Sequence, residues 1–336
     1  MKQWKYKHSI YLMVAMIILP VTIAQSYPKI TTYMPYYALY TETQQNKTTR
    51  YIIIRKFKYN STQVHLYIHP DTLQTGILKN PKGTIQQNSL HNIIQQLAHT
   101  QYAKLYQKAL RKSKRMFNAG ITHVYTNGMI VSFDLCPSKR PVDSNFIEKL
   151  IALNKTSTSL PVIICISGKW MLTHPEDLQW LQSLDSNGKL DITWANHSYT
   201  HFYSRKLPVR KNFMLKEDTN VAREVFQNEI CMLEHDIIPS VFFRFPGLIS
   251  NQKIYEKVMG YGLIPLGADA WLAKGKKPVA GSIILVHPNG NEKKGTSLLL
   301  QLASCGAINI TNIVSLTKAY TNNQQTALIH KKQVKL

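Results

Sequence analysis

Five short segments carry side chains able to act on a substrate. His197-Ser198-Tyr199-Thr200-His201 sets two imidazoles four residues apart. That spacing predicts both on one side of a helical turn, where two neutral rings can grip one divalent ion. Ser132-Phe133-Asp134 ends an apolar run on a carboxylate, a costly place for a charge unless it is used and one suited to a general base. Arg244-Phe245-Pro246-Gly247 follows another apolar run, and its guanidinium can hold a carboxylate ionised and oriented. Asp269-Ala270-Trp271 places an acid two residues before a large aromatic, and Ile283-Ile284-Leu285-Val286 runs into His287. An acid beside that imidazole would suit it to donate a proton. Each segment alone has an ordinary structural explanation: surface histidines, a capping or turn carboxylate, an arginine–acid pair. Their order along the chain carries more than any one of them.

From about Val124 onward strands and helices alternate. Met129–Phe133, Val162–Ile166, Asp191–Ala195, Val241–Phe243 and Ile283–Val286 read as strands. Phe146–Leu153, Pro175–Leu184, Glu217–His235 and Ile254–Tyr261 read as helices. The alternation predicts an α/β fold, a parallel sheet or barrel. Polar residues follow the C-terminal ends of its strands, where such barrels place their active sites.

The region before it differs. Tyr51–Ile54 and Val64–Ile68 read as strands, the second running into a turn at His69–Asp71. Ser89 to about Phe117 reads as one long helix capped by Asn88 or Ser89. Seventeen Lys and Arg precede Asp134 against only Glu42 and Asp71, so about +15 of the total +23 lies there. Such a surface attracts polyanions; the plain alternative is a generally basic protein with no specific partner. The first residues resemble an export signal: Lys2, Lys5 and Lys7, an apolar run from Ile10 to Ala24, and small residues at Thr22 and Ala24 before Gln25. An uncleaved anchor is the alternative. Either places the rest in the periplasm or outside the cell, facing anionic lipids or acidic envelope polymers; no nucleic-acid partner is expected. The expected division is a signal at 1–24, a small basic α+β region at 25–123, a barrel at 124–320 and a polar tail at 321–336. Four cysteines permit disulfides, but none has the spacing of a metal site.

The ordered segments resemble the polysaccharide deacetylase family, the NodB-homology carbohydrate esterases of family four, over about Val124–Leu316. The resemblance implies a distorted (β/α) barrel, one divalent ion (zinc most often), and removal of acetyl groups from an N-acetylated cell-wall or extracellular polysaccharide with release of acetate. It implies that Asp134 is the base, His197 and His201 bind the ion, and Arg244 orients the base. It further implies that Asp269 tunes His287, the general acid, and that Trp271 and Leu285 line the acetyl pocket. The family's second acid at the first motif is replaced here by Leu135, which cannot bind metal. Asp143, nine residues after Asp134, is the expected substitute, with capping of the following helix as its other possible job. The Arg244–Gly247 segment is one residue tighter than usual, and the Asp269–Trp271 spacing is loose. Three other readings remain open at this point: a carbohydrate-binding protein on the same fold without metal, a membrane- or wall-associated adaptor acting through its basic N-terminal region, and an amidase acting on a non-sugar acetamide.

Overall fold

The computed structural model describes residues 28–320. The expected signal and polar tail lie outside the described residues. Among the described residues, no helix is long and apolar enough to cross a membrane.

The chain first builds an antiparallel sheet from β1 (Ile30–Gln44), β2 (Lys47–Tyr59), β3 (Thr62–Ile68), β4 (Thr75–Lys79) and β5 (Thr84–Gln87), in the order β4-β3-β2-β1-β5. Gln45 and Asn46 (φ 46° and 63°) close the first hairpin, and Asn60 and Ser61 (φ 46° and 69°) the second. Both are two-residue turns with two left-handed positions, whose twist matches that of the strands. Next come α1 (Leu90–Gln96) and α2 (Gln101–Leu110). Ser89 caps α1, its Oγ accepting from Asn92 N at 3.1 Å. The single long helix expected over this stretch is broken. The Thr100 hydroxyl donates to the Leu97 carbonyl at 2.7 Å, a local bond that competes with helix continuation. Most of the basic second half of the expected helix lies in turns after Leu110.

The second sheet is wholly parallel. It comprises β6 (Ile130–Leu135), β7 (Leu160–Ile166), β8 (Leu190–Asn196), β9 (Phe242–Phe243), β10 (Ile264–Pro265), β11 (Ala270–Trp271) and β12 (Ile283–Val286), in the order β10-β9-β8-β7-β6-β12-β11. Helices α3 (Ser144–Leu153), α4 (Gly168–Thr173), α5 (Pro175–Ser186), α6 (Val221–Glu234), α7 (Gln252–Gly260) and α8 (Lys293–Ser304) connect and cover it. Every residue of β6 and β12 is buried, as strands covered on both faces must be. The result is the distorted (β/α) barrel expected, left open because among the described residues no ladder joins β10 to β11.

The two sheets share one apolar core: Ile52, Ile54, Phe57 and Leu66 pack in the same cluster as Val225, Phe242, Phe243 and Tyr255. The β2–β3 register shifts between Ile53 and Arg55, which leaves Ile53, Ile54 and Arg55 all buried in succession. Arg55 Nε and Nη2 donate to the two oxygens of Glu229 on α6 at 2.8 and 2.9 Å. Its Nη1 donates to the carbonyls of Ile54 and Tyr261, and the Tyr33 hydroxyl adds a bond to Glu229 at 2.8 Å. A fully buried pair is tolerable only when its remaining donors and acceptors are satisfied in this way.

Candidate active site

Asp134 sits near the C-terminal end of β6 and is almost fully buried. Arg244, just after β9, reaches it: Nη1 donates to Asp134 Oδ1 at 2.8 Å and also contacts Ser132 Oγ at 2.8 Å. Its Nη2 donates to the Gly267 carbonyl at 3.0 Å. Burial alone would raise the Asp134 carboxyl, but Arg244, His197 and His287 around it hold it below the usual carboxylate range. The group is therefore an ionised, oriented acceptor at neutral pH.

His197 and His201 do not lie on a helical turn as expected. They flank a loop after β8 in which Ser198 (φ 66°) and His201 (φ 42°) take left-handed conformations. Helix α6 holds that loop: Glu224 accepts from Thr200 N and Oγ1 at 2.9 and 2.6 Å, and Asn228 donates to Asn196 Oδ1 at 2.8 Å. His197 Nδ1 lies 2.8 Å from the Arg244 carbonyl. A carbonyl only accepts, so Nδ1 carries the proton and Nε2 presents a lone pair. That Nε2 stands 3.6 Å from Asp134 Oδ2 and 3.6 Å from Cys136 Sγ. His201 packs edge-on against it, ring centroids 4.7 Å apart. Burial pushes both imidazoles below their ordinary value, His201 further because His197 is its neighbour. Both are thus neutral, the form that binds metal.

The third member of this group is Cys136. Its sulfur and one nitrogen from each histidine lie within 4.8 Å of one another. The 3.6 Å edge from sulfur to His197 Nε2 matches a tetrahedron with bonds of about 2.0–2.3 Å to zinc. His201 Nε2 is buried with no hydrogen-bond partner among the described residues, an arrangement a ligand would satisfy. The donor set therefore fits a divalent ion. Burial, and then the charge of Asp134, push the Cys136 thiol well up, so without a cation beside it this cysteine is a poor nucleophile.

Asp143 is not part of the group. It is exposed at the N-terminus of α3, where its side chain accepts from Phe146 N at 3.0 Å; the structure gives it the capping job. Asp269 is also placed elsewhere. It pairs with His123 Nδ1 at 2.8 Å and accepts from Ile283 N at 2.9 Å, and no bond among the described residues joins it to His287. Glu292 takes that place. Its Oε2 lies 3.0 Å from His287 Nδ1 and accepts from Trp271 Nε1 at 2.6 Å. The first contact is close but poorly aligned for a hydrogen bond. Burial would raise the Glu292 carboxyl, but His287, Trp271 and Lys274 hold it low. Leu285 is buried in the core rather than in the cleft wall.

A cleft of about 760 Å³ opens over these groups, walled among others by Cys136, His201, Trp271, His287 and Glu292. Gly247 also lines it; its φ of 63° favours glycine, and a Cβ there would stand 2.6 Å from the Phe213 ring. The sequence reading missed Cys136 and Glu292. Each had one signal: Cys136 directly follows the Leu135 that displaces the expected acid, and Glu292 is the first acid after His287.

No protein-family model matches the chain. Solved structures similar to it include family 4 carbohydrate esterases. One from Bacillus anthracis is 16% identical, with 65% of this chain and 90% of that one covered and a TM-score of 0.42. One from Streptomyces lividans, in complex with acetate, is 18% identical, with 54% and 91% covered and a TM-score of 0.38. A CE4 family pseudoenzyme from Bacillus anthracis is 12% identical, with 65% and 81% covered and a TM-score of 0.41.

Proposed function

We propose that this protein is a metal-dependent hydrolase that removes N-acetyl groups from a cell-wall or extracellular polysaccharide. The observation that carries the reading is a convergence at the C-terminal ends of the parallel strands. Cys136 and His201 of a buried Cys-His-His donor set and an acid-backed histidine line one cleft, and the arginine-held carboxylate of Asp134 lies behind them, 3.6 Å from His197 Nε2. Cys136, His197 and His201 would hold the ion, zinc being the expected metal for one thiolate and two imidazoles. An ion there supplies Lewis acidity toward a carbonyl or water oxygen.

The chain's own residues account for the proton transfers. Asp134, kept ionised by Arg244, takes the proton from the water whose oxygen bonds to the acetyl carbon. His287 gives a proton to the sugar nitrogen as the carbon–nitrogen bond breaks. Glu292 stands beside the His287 ring, and Trp271 supplies an apolar wall for the acetyl methyl. Acetate and a free amino sugar leave. A signal at 1–24 would export the chain to reach such a polymer, and the basic N-terminal region would hold it near anionic envelope polymers or lipids.

The test is the metal content of the purified protein together with acetate release from N-acetylated sugar oligomers. About one ion per chain, lost in both Cys136→Ala and His201→Ala, with acetate released by the parent, is expected. An ion-free protein after reconstitution would favour a non-catalytic carbohydrate-binding role.

A further inference from the structure

The cleft does not end at the reacting groups. Pro137, Arg205 and Asn291 line it and also line an adjoining recess of about 700 Å³, which adds Lys139 and Arg140. Lys169 stands on the cleft side. All four cations are exposed, and among the described residues none has an acid within 4.0 Å. Among the described residues the one acid lining either space is Glu292, whose carboxylate is already met by His287, Trp271 and Lys274.

The recess is built rather than an accident of a basic surface. Arg140 Nη1 donates to the Gly290 carbonyl at 2.8 Å, and its backbone N–H to Ser138 Oγ at 3.0 Å. Its stem lies so close over Gly290 that a Cβ there would meet Arg140 Cδ at 2.7 Å. Ser138 Oγ donates to the Asn289 carbonyl at 2.9 Å, and Asn289 donates to the Cys136 carbonyl at 2.7 Å. The same bonds therefore position Arg140 and the cysteine of the donor set. A held guanidinium keeps most of its fork free for an oxyanion, and uncompensated charge beside a cleft selects partners of opposite sign.

We propose that this recess receives an oxyanion, carboxylate or phosphate, carried on a sugar next to the acetylated one, so that the substrate is an acidic polysaccharide. The word substrate rests on the hydrolase reading; recognition of the anion does not.

The experiment is calorimetric binding to the full chain. It compares a neutral N-acetylglucosamine tetramer, an alternating N-acetylglucosamine–glucuronic acid tetramer, and a 6-phosphorylated N-acetylglucosamine tetramer. At least one acidic tetramer should bind about tenfold or more tighter than the neutral one at low salt, and the tighter of the two names the oxyanion. Arg140→Gln and Arg205→Gln should each remove most of that preference. Lys58→Gln, an exposed cation on β2, should not. Equal binding of all three tetramers overturns the proposal, as does a preference that survives both arginine variants or falls equally with Lys58→Gln. Acetate release is read separately. A preference without acetate removes the hydrolase reading and keeps the anion site; acetate released equally from neutral and acidic chains, with no preference, does the reverse.

Discussion

Glu292 and His287 stand 3.0 Å apart, carboxylate to ring nitrogen, on the wall of the cleft. The carboxylate is shared with the Trp271 indole, so one acid orients both the proposed proton donor and the proposed acetyl wall. Glu292→Gln should lower kcat about tenfold to a hundredfold with little change in KM, because the charge matters most as the proton moves. A change confined to KM would assign Glu292 to substrate binding instead.

The same residue predicts a pH effect on stability. Its folded-state carboxyl is held low by His287, Trp271 and Lys274 against the opposing effect of burial. A depressed acid contributes stability above its unfolded pKa of about 4.3, and that contribution is lost as pH falls through the lower folded value. Melting temperatures compared between about pH 6 and pH 3 should therefore fall more in the parent than in Glu292→Gln. Parallel curves would show that the contacts add nothing to stability.

Asp134→Asn should keep its ion and lose turnover by about a hundredfold to ten-thousandfold. Metal analysis and single-turnover acetate release check the two halves. Activity near that of the parent would sink Asp134 as the base.

Asp143→Ala should cost about 1 kcal/mol through loss of the α3 cap and leave metal content unchanged. Denaturant unfolding and metal analysis read the two effects. An ion lost with Asp143 would return that residue to the ligand set.

Glu229→Gln should destabilise the protein by about 3–5 kcal/mol, because it leaves the Arg55 guanidinium buried without a counter-charge. The double change Arg55→Met with Glu229→Leu should recover much of this in denaturant unfolding. Equal loss in both would mean that the pair's geometry, rather than its charge, is what the core requires.

The barrel was legible because its strands are short apolar runs that stop at polar residues. Ile283–Val286 and the strand ending near Asp134 stand where the pattern puts them. The first sheet was less legible. Much of β1 is exposed or half-buried without a period-two alternation, and its partner strands turn at Gln45-Asn46 and Asn60-Ser61 without a glycine to mark them. Asp134, His197, His201, Arg244, Trp271 and His287 are drawn to one region. Asp143 and Asp269 are not, because a carboxylate's sequence neighbours do not say which donor it will meet. Asp143 met the nearest helix N-terminus, and Asp269 met His123 from a distant loop. Cys136 was hidden because a single cysteine just past an apolar strand reads as a small hydrophobe.

Arg55 and Glu229 are 174 positions apart, and this separation sets an order of events. A chain made from its N-terminus finishes the five strands of the first sheet long before α6 exists. At usual synthesis rates the wait is roughly 10–30 s. Throughout it, the face bearing Ile52, Ile54 and Phe57 has only α1 and α2 to pack against, and the guanidinium has no Glu229 to pair with. The sheet can pair its strands early but cannot close its core until the barrel arrives. A chain cut or stalled before α6 would therefore be a sticky, cationic fragment rather than a smaller folded protein.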